Sequence, residues 1–234
     1  MDSLWTPGGQ GVDEFERFDS RMKPKVLNHK SLTSICRRLR SDPHLRNVHD
    51  RYGTPPLWDR EPGFATLLQI ILEQQVSLAS AKACFDKLSA RLKQVTPKKL
   101  LTLSDAELKL VGFSRQKTAY ARHLAESLVN KTVDLDDLSN KTDVEVKAEL
   151  MQLKGVGEWT SDIYLLMALL RPDVMPKGDI ALHTAWYKLT GEPRSTPDEF
   201  LAIAERWRPF RSVAARLLWH FYLCERSANR RKTA

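Results

Sequence analysis

Residues 154–157 have the sequence KGVG and are the first place where residue types and spacing suggest chemistry. Gly155 and Gly157 permit positive φ and a close approach of the backbone to a bound molecule. The N–H groups at the start of a following helix are unpaired and lie at its positive dipole end, which suits a phosphate oxygen. Lys154 adds a positive charge, so the turn Lys154, Gly155, Val156 and Gly157 is a candidate phosphate-backbone clamp. An isolated Gly-x-Gly between helices is more often an ordinary tight turn, and the surrounding residues must decide.

Helical periodicity surrounds this turn on both sides. Apolar residues at 64, 67, 68, 71 and 72 have the three-and-four spacing of a helix face. Helices are predicted at 31–42, 64–75, 77–92, 96–103, 104–112, 114–130, 142–153, 158–170, 178–190, 196–207 and 210–227. The pattern contains no convincing strand pair. The sequence therefore predicts an all-α fold of about ten helices. Residues 1–50 are interpreted as an N-terminal extension, partly irregular with one basic helix.

Charge and cysteine usage limit the class of protein. The chain of 234 residues has a formal net charge of +8, which favours an acidic partner, most commonly nucleic acid. Cys36, Cys84 and Cys224 are far apart and show no CxxC spacing, which argues against a zinc site, an iron–sulfur cluster and a disulfide framework. No apolar run approaches the length of a membrane span, and the N-terminus does not have the pattern of a signal peptide. The expected location is cytoplasmic and nucleoid-associated in a prokaryote, or nuclear in a eukaryote.

The stretch LKGVGEWTSDIYLLMALLRPDVMPKGD at 153–179 resembles the hairpin and Gly/Pro-Asp loop of the helix–hairpin–helix DNA glycosylase superfamily. Within it, EQQVSLASAKACFDKL at 73–88, the Trp of GVGEWTSD and RWRPFRSVAARLLWHFYL at 206–223 are similar to the 3-methyladenine DNA glycosylase II type. The resemblance implies two helical subdomains with the active-site cleft between them. It makes residues 51–234 the catalytic domain, with the hairpin at 150–160.

The resemblance also implies a reaction. Such an enzyme flips a damaged nucleotide out of double-stranded DNA and hydrolyses its N-glycosidic bond, leaving an abasic site in base excision repair. The expected substrates are alkylated purines of the 3-methyladenine and 7-methylguanine type. The family position of the catalytic carboxylate is Asp179. Independently, a fixed carboxylate in a poorly hydrated cleft would stabilise the positive charge that develops on the sugar. Asp179 is also a plausible N-cap of the helix that follows, and both roles can hold together.

Two tryptophans are expected beside this carboxylate. Bifunctional lyases of the superfamily carry a nucleophilic Lys where this chain has Trp159, so the resemblance implies a monofunctional enzyme without lyase activity. Alkylated purines are positively charged, and the indoles of Trp159 and Trp219 would attract them by cation–π stacking. Core packing is the ordinary role of large aromatic residues and remains the alternative. The family's common Tyr after the catalytic Asp is Ile180 here, so the resemblance implies an aliphatic side chain at that wall of the base pocket.

The loop EQQVS at 73–77 is predicted to contact the flipped nucleotide. By resemblance, Gln75 is the wedge that fills the gap in the DNA, and Gln74 lies beside the base pocket; solvation of a helix end is the alternative. The hairpin in this superfamily often binds Na⁺ or K⁺ through backbone carbonyls, which by register are those of Met151, Leu153 and Val156. No other cofactor is expected, and a monomer is the default.

Two other functions remain open from the sequence. One is a glycosylase of the same fold for a neutral deaminated or oxidised base, which Ile180 and the two glutamines allow. The other is a non-catalytic module that senses DNA structure through the hairpin, which the register of Asp179 opposes.

Overall fold

The computed structural model describes residues 26–233, and every regular element in that range is helical, which confirms the predicted all-α fold. No helix in that range is long and apolar enough to span a membrane. The twelve α-helices of the described chain are α1 (His29–Arg38), α2 (Pro43–Tyr52), α3 (Phe64–Glu73), α4 (Leu78–Leu92), α5 (Pro97–Leu101), α6 (Asp105–Leu110), α7 (Arg115–Val129), α8 (Asp143–Leu150), α9 (Glu158–Met167), α10 (Ile180–Thr190), α11 (Pro197–Ala204) and α12 (Arg211–Thr233).

Side-chain caps set most of the helix starts. The hydroxyl of Ser77 accepts a hydrogen bond from Ser80 N at 3.1 Å and caps α4, which begins one residue after the start predicted at 77. Helix α2 was not predicted, although Asp42 and Pro43 are a typical cap and first helical residue. The carboxylate of Asp42 accepts hydrogen bonds from the first turn of that helix. Capping chemistry is therefore the local signal that fixes where these helices begin.

The helices pack in two groups with a cleft between them. In the first, α3 packs against α4, α7 and α9, and seven of its ten residues are buried. In the second, α12 packs against α1, α2 and α10. The predicted boundary at residue 50 falls inside α2, and Leu32, Ile35 and Leu45 of α1 and α2 belong to the common core. Residues 1–25 of the predicted extension lie outside the described residues.

A buried arginine joins the two groups. The fully buried guanidinium of Arg216 on α12 donates to the carbonyls of Leu57 at 2.8 Å, Leu166 at 2.7 Å and Ser212 at 3.1 Å. Burial lowers the pKa of Arg216 to about 10. These bonds hold α12 to the C-terminal end of α9 and to the connector before α3. The relative position of the two walls of the cleft is thereby fixed.

Candidate active site

Asp179 lies where the two helix groups meet and is only 8% exposed. Its Oδ1 accepts hydrogen bonds from Leu182 N at 3.0 Å and from Trp219 Nε1 at 3.1 Å, and its Oδ2 accepts one from Trp159 Nε1 at 3.0 Å. Three N–H donors match an ionised carboxylate, which can only accept. The site therefore holds a negative charge in a fixed position with little contact with water. Such a charge interacts strongly with a positive charge that develops beside it.

The backbone before Asp179 is held by a second buried carboxylate. Asp162 of α9 is 2% exposed; its Oδ2 accepts from Lys177 N at 3.2 Å, and its Oδ1 lies 2.7 Å from the Lys147 ammonium. Burial raises the pKa of Asp162, and the neighbouring ammonium opposes that rise. Gly178, with φ at +73°, then turns the chain into the cap. The predicted capping role of Asp179 is confirmed, because its carboxylate accepts the N–H of the third residue of α10.

The two indoles reach Asp179 from opposite sides of the cleft. Trp159 is half-buried in the first turn of α9, and Trp219 is 8% exposed on α12. The sequence predicted both as stacking surfaces for a flipped base, and it did not predict their hydrogen bonds to Asp179. Because an indole N–H points along the ring edge, these bonds do not themselves occupy the ring faces, although the ring of Trp219 is otherwise buried. The stacking role stays a prediction.

Gly155 in the hairpin is required by contacts inside the protein. It has φ at +82°, a conformation that costs little only for glycine. A Cβ added there would lie 2.2 Å from Cδ2 of the Tyr120 ring. The ring of Tyr120 therefore packs directly on the hairpin backbone. The sequence interpretation assigned this glycine to an outside contact, and the structure supplies an internal reason.

Gly157 has no such internal reason. Its φ is −112°, and a Cβ added there would meet nothing within 4 Å. The N–H groups of Gly157 and Glu158 donate to no acceptor within residues 26–233. The exposed side chain of Lys154 forms no ion pair in the same range. These groups are free to bind a ligand anion, as the phosphate clamp requires.

The carbonyls predicted to bind a monovalent cation fit that chemistry. In the described chain, the carbonyl oxygens of Met151 and Val156 accept no hydrogen bond, and that of Leu153 accepts one from Val156 N at 3.1 Å. A carbonyl oxygen has two lone pairs, so all three retain an acceptor site. Hard cations prefer oxygen ligands of this kind.

The two glutamines of the α3–α4 loop have different environments. The side-chain nitrogen of Gln74 donates to Gly155 O at 2.7 Å and to Thr160 Oγ1 at 2.8 Å, so its amide holds the hairpin in place. Gln75 is exposed at the turn itself, with φ at +57°. The neighbouring Val76 and Leu78 are 46% and 60% exposed. The position of Gln75 suits the predicted wedge, whereas Gln74 supports the hairpin.

Ile180 lies on the rim of the site. It is 79% exposed at the start of α10 and borders a shallow cavity of about 190 Å³. The cavity is also lined by Gly178, His183, Thr184, Arg194, Ser195 and Pro197. The side chain is thus exposed beside this cavity, whose lining does not include Asp179. Its predicted place in the base pocket stays a prediction.

Sequence reasoning missed three residues that position the site. Asp162 and Lys147 hold the loop before Asp179, and Tyr120 packs on the hairpin. Asp162 directly precedes the apolar run IYLLM of the same helix. This position was a usable signal, because a charge that is buried among apolar residues needs a partner. Nothing in the sequence indicated Tyr120, because its contact joins elements far apart in the chain.

Comparison with known proteins identifies the family to which this chain belongs. Residues 68–209 match the model described as "HhH-GPD superfamily base excision DNA repair protein". Over 168 residues, 68% of this chain and 72% of the relative, the sequence is 29% identical to DNA-3-methyladenine glycosylase 1 of Schizosaccharomyces pombe.

Solved structures share the fold. A DNA-3-methyladenine glycosidase from Bacillus halodurans superposes with a TM-score of 0.67 at 27% identity, covering 79% of this chain and 86% of that one. A 3-methyladenine DNA glycosylase from Schizosaccharomyces pombe, in complex with abasic DNA, superposes with a TM-score of 0.74 at 24% identity, covering 80% and 95%. The matched family region includes more than half of the chain, with the hairpin and Asp179 inside it. The chain therefore belongs to the HhH-GPD superfamily of base excision DNA repair proteins.

Proposed function

We propose that this protein is a monofunctional DNA glycosylase that excises alkylated purines and leaves an abasic site in an intact strand. The observation that carries the proposal is the carboxylate of Asp179, fixed by N–H donors from Trp159, Trp219 and the backbone of Leu182. A glycosylase has to reach a base that lies inside the duplex, so the nucleotide is flipped into the cleft.

The charge of Asp179 supplies the chemistry. As the bond to the base breaks, the sugar becomes positive, and a carboxylate already in position stabilises that charge without rearranging. The same carboxylate orients a water molecule for attack on the sugar carbon and accepts the proton that this water loses as the new C–O bond forms. The alkylated base departs as a neutral molecule because it was positively charged at the start. The reaction therefore needs little acid assistance from the protein.

The amines near the site support a reaction without lyase chemistry. The position two residues after Gly157 is Trp159, which has no nucleophilic amine, and its indole N–H is bonded to Asp179. The ammonium of Lys147 is paired with Asp162 at 2.7 Å. That of Lys177 lies 2.9 Å from a carboxylate oxygen of Asp198 and 3.6 Å from one of Glu158. We therefore expect water, and not an amine at the position of Trp159, to be the nucleophile.

Recognition of the substrate combines stacking with backbone binding. The faces of the two indoles attract a positively charged purine by roughly 0.5–2 kcal/mol through cation–π stacking. The hairpin N–H groups and Lys154 bind the DNA backbone without reading sequence. We include Na⁺ or K⁺ at the carbonyls of Met151, Leu153 and Val156, whose charge would strengthen the phosphate contact. The protein would act on double-stranded DNA as a monomer.

Excision of a neutral lesion is the second candidate. It is favoured by the polar Gln75 at the loop turn and by the exposed aliphatic Ile180 where the family often has Tyr. A non-catalytic module that only senses DNA structure is disfavoured. Such a module does not need a buried carboxylate that accepts three hydrogen bonds, as that of Asp179 does.

The test is base release from defined duplexes under single-turnover conditions. Matched duplexes would carry one 7-methylguanine, one hypoxanthine, one uracil or no lesion, and released bases would be separated by chromatography. We expect release of the methylpurine first and strand scission only after hot alkali. Release of hypoxanthine or uracil alone would support the neutral-lesion function. A nick without alkali, or a covalent adduct trapped by borohydride, would contradict the monofunctional mechanism.

A further inference from the structure

Trp58 in the connector between α2 and α3 has a backbone conformation that is unusual for its size. Its φ is +51°, in the left-handed region that bulky residues rarely adopt. Strained backbone of this kind persists only where the surroundings enforce it, and it is concentrated at functional sites.

The connector is clamped on both sides of Trp58. Before it, the carbonyl of Leu57 accepts from the buried guanidinium of Arg216 at 2.8 Å. After it, Arg60 N donates to Met167 O at 2.9 Å, and the Arg60 guanidinium binds the carboxylate of Glu73 at 3.0 and 3.2 Å. These bonds tie the connector to α12, α9 and α3 at once. The strained conformation is therefore imposed by both helix groups that form the cleft.

The indole of Trp58 packs on the tryptophan that holds Asp179. Its ring meets that of Trp219 edge to face, with centroids 6.4 Å apart and planes at 75°. It meets the ring of His220 in the same way at 6.4 Å. Trp219 in turn donates to Asp179. One aromatic contact thus links Trp58 to the carboxylate.

Trp58 differs from the tryptophans that only pack the core. Trp207 is 1% exposed and donates to Asp42 at 2.9 Å, and Trp186 is 3% exposed and donates to Glu192 at 3.3 Å. Trp58 is half-buried, and its indole N–H has no acceptor within residues 26–233. A partly exposed indole with a free N–H, next to Trp219, retains both some ring surface and a donor for a ligand.

We infer that Trp58 is a third aromatic wall of the base pocket and sets its preference for positively charged purines. The inference rests on the proposed function. Together with Trp159 and Trp219, it would surround a flipped base with electron-rich rings from the connector, α9 and α12. A positively charged purine is stabilised more strongly by these aromatic rings than a neutral base is, because it also gains cation–π attraction. Trp58 would therefore act on selectivity rather than on bond cleavage itself.

The test compares Trp58→Gly and Trp58→Phe with wild type on duplexes carrying 7-methylguanine or hypoxanthine. Glycine accepts the positive φ, so Trp58→Gly removes the ring without adding strain. We expect the ratio of the two single-turnover excision rates to shift against 7-methylguanine by about 2- to 30-fold in Trp58→Gly, the range of one cation–π contact. In Trp58→Phe the shift should be smaller.

The matched control is Tyr222→Ala, a half-buried aromatic residue of α12 whose hydroxyl accepts from Arg226. It should leave the rate ratio unchanged. A rate ratio that stays at the wild-type value in folded Trp58→Gly would overturn the inference, even where the melting temperature falls. If wild type releases no methylpurine, the proposed function itself fails, and the two failures are distinct.

Discussion

The hairpin and the Asp179 cleft lie close together but are built in different ways. The hairpin offers backbone groups of consecutive residues, which the ring of Tyr120 and the amide of Gln74 hold in place. The cleft offers one side chain, held by partners 20 and 40 residues away on two other helices. The groups that the hairpin offers therefore come from consecutive residues, whereas the carboxylate site is formed only when side chains of both helix groups meet.

The same contrast appears between the two glycines of the hairpin. Gly155 is fixed by a positive φ and by Tyr120, so its role is internal. Gly157 has an ordinary φ and open space around it, so its role points outward. Substitutions can separate folding, chemistry and DNA binding on this basis.

The largest expected effect is on stability in Gly155→Ala. Alanine at this φ costs about 1–2 kcal/mol, and the overlap with Tyr120 adds about 1–3 kcal/mol. We expect the free energy of unfolding to fall by roughly 2–5 kcal/mol, measured by urea denaturation. Wild-type stability in this variant would show that the hairpin backbone is not held by the packing described.

The next effect is on excision in Trp159→Phe and Trp219→Phe. Each change keeps an aromatic ring and removes one N–H donor to Asp179. Hydrogen bonds to charged groups contribute about 1.5–3 kcal/mol, so the single-turnover rate should fall about 10- to 100-fold in each variant. Trp186→Phe is the control, because its N–H serves Glu192 instead. Equal excision rates in the control and in both variants would show that the indole N–H groups do not contribute to the chemistry.

A smaller effect is expected on DNA binding in Gly157→Ala. The added methyl group meets nothing in the free protein, so stability should change by less than about 1 kcal/mol. It would stand between the hairpin N–H groups and a phosphate, and Kd for duplex DNA should rise about tenfold, or 1.4 kcal/mol. Titrations at several salt concentrations would measure it. An unchanged Kd would show that the hairpin does not contact the DNA backbone.

The smallest effect is expected in Gln75→Ala. Loss of a side chain that hydrogen-bonds the orphaned opposite base should weaken discrimination among opposite bases about two- to fivefold. Excision rates with each of the four opposite bases would show it. Gln74→Ala is the contrast, because loss of its bonds to Gly155 and Thr160 should lower stability instead.

The fold could be predicted from the sequence to the extent that its signals are local. Apolar spacing indicated most helices, and the helices capped by Ser77 and Asp179 begin within two residues of the starts predicted at 77 and 178. Helix α2 was missed even though Asp42 and Pro43 signalled it. The hairpin and the position of Asp179 followed from motifs in the chain.

The rest of the site depends on contacts between distant elements. The indole N–H groups point at Asp179 only because α9 and α12 are set by packing around the cleft. The backbone of Trp58 is left-handed because bonds to three helices impose it, against its own preference. The roles of Gly155 and Gly157 look alike in sequence, and only the ring of Tyr120 distinguishes them.

The central claim is that Asp179 performs the chemistry while the hairpin performs the binding. The most direct measurement is the single-turnover excision rate of Asp179→Asn on methylated duplex DNA, with Kd for the same duplex measured alongside. Asparagine keeps the shape and can still cap α10. We predict that the rate falls on the order of 10²–10³-fold while Kd stays within about threefold of wild type. A folded Asp179→Asn variant that excises at the wild-type rate would contradict the account.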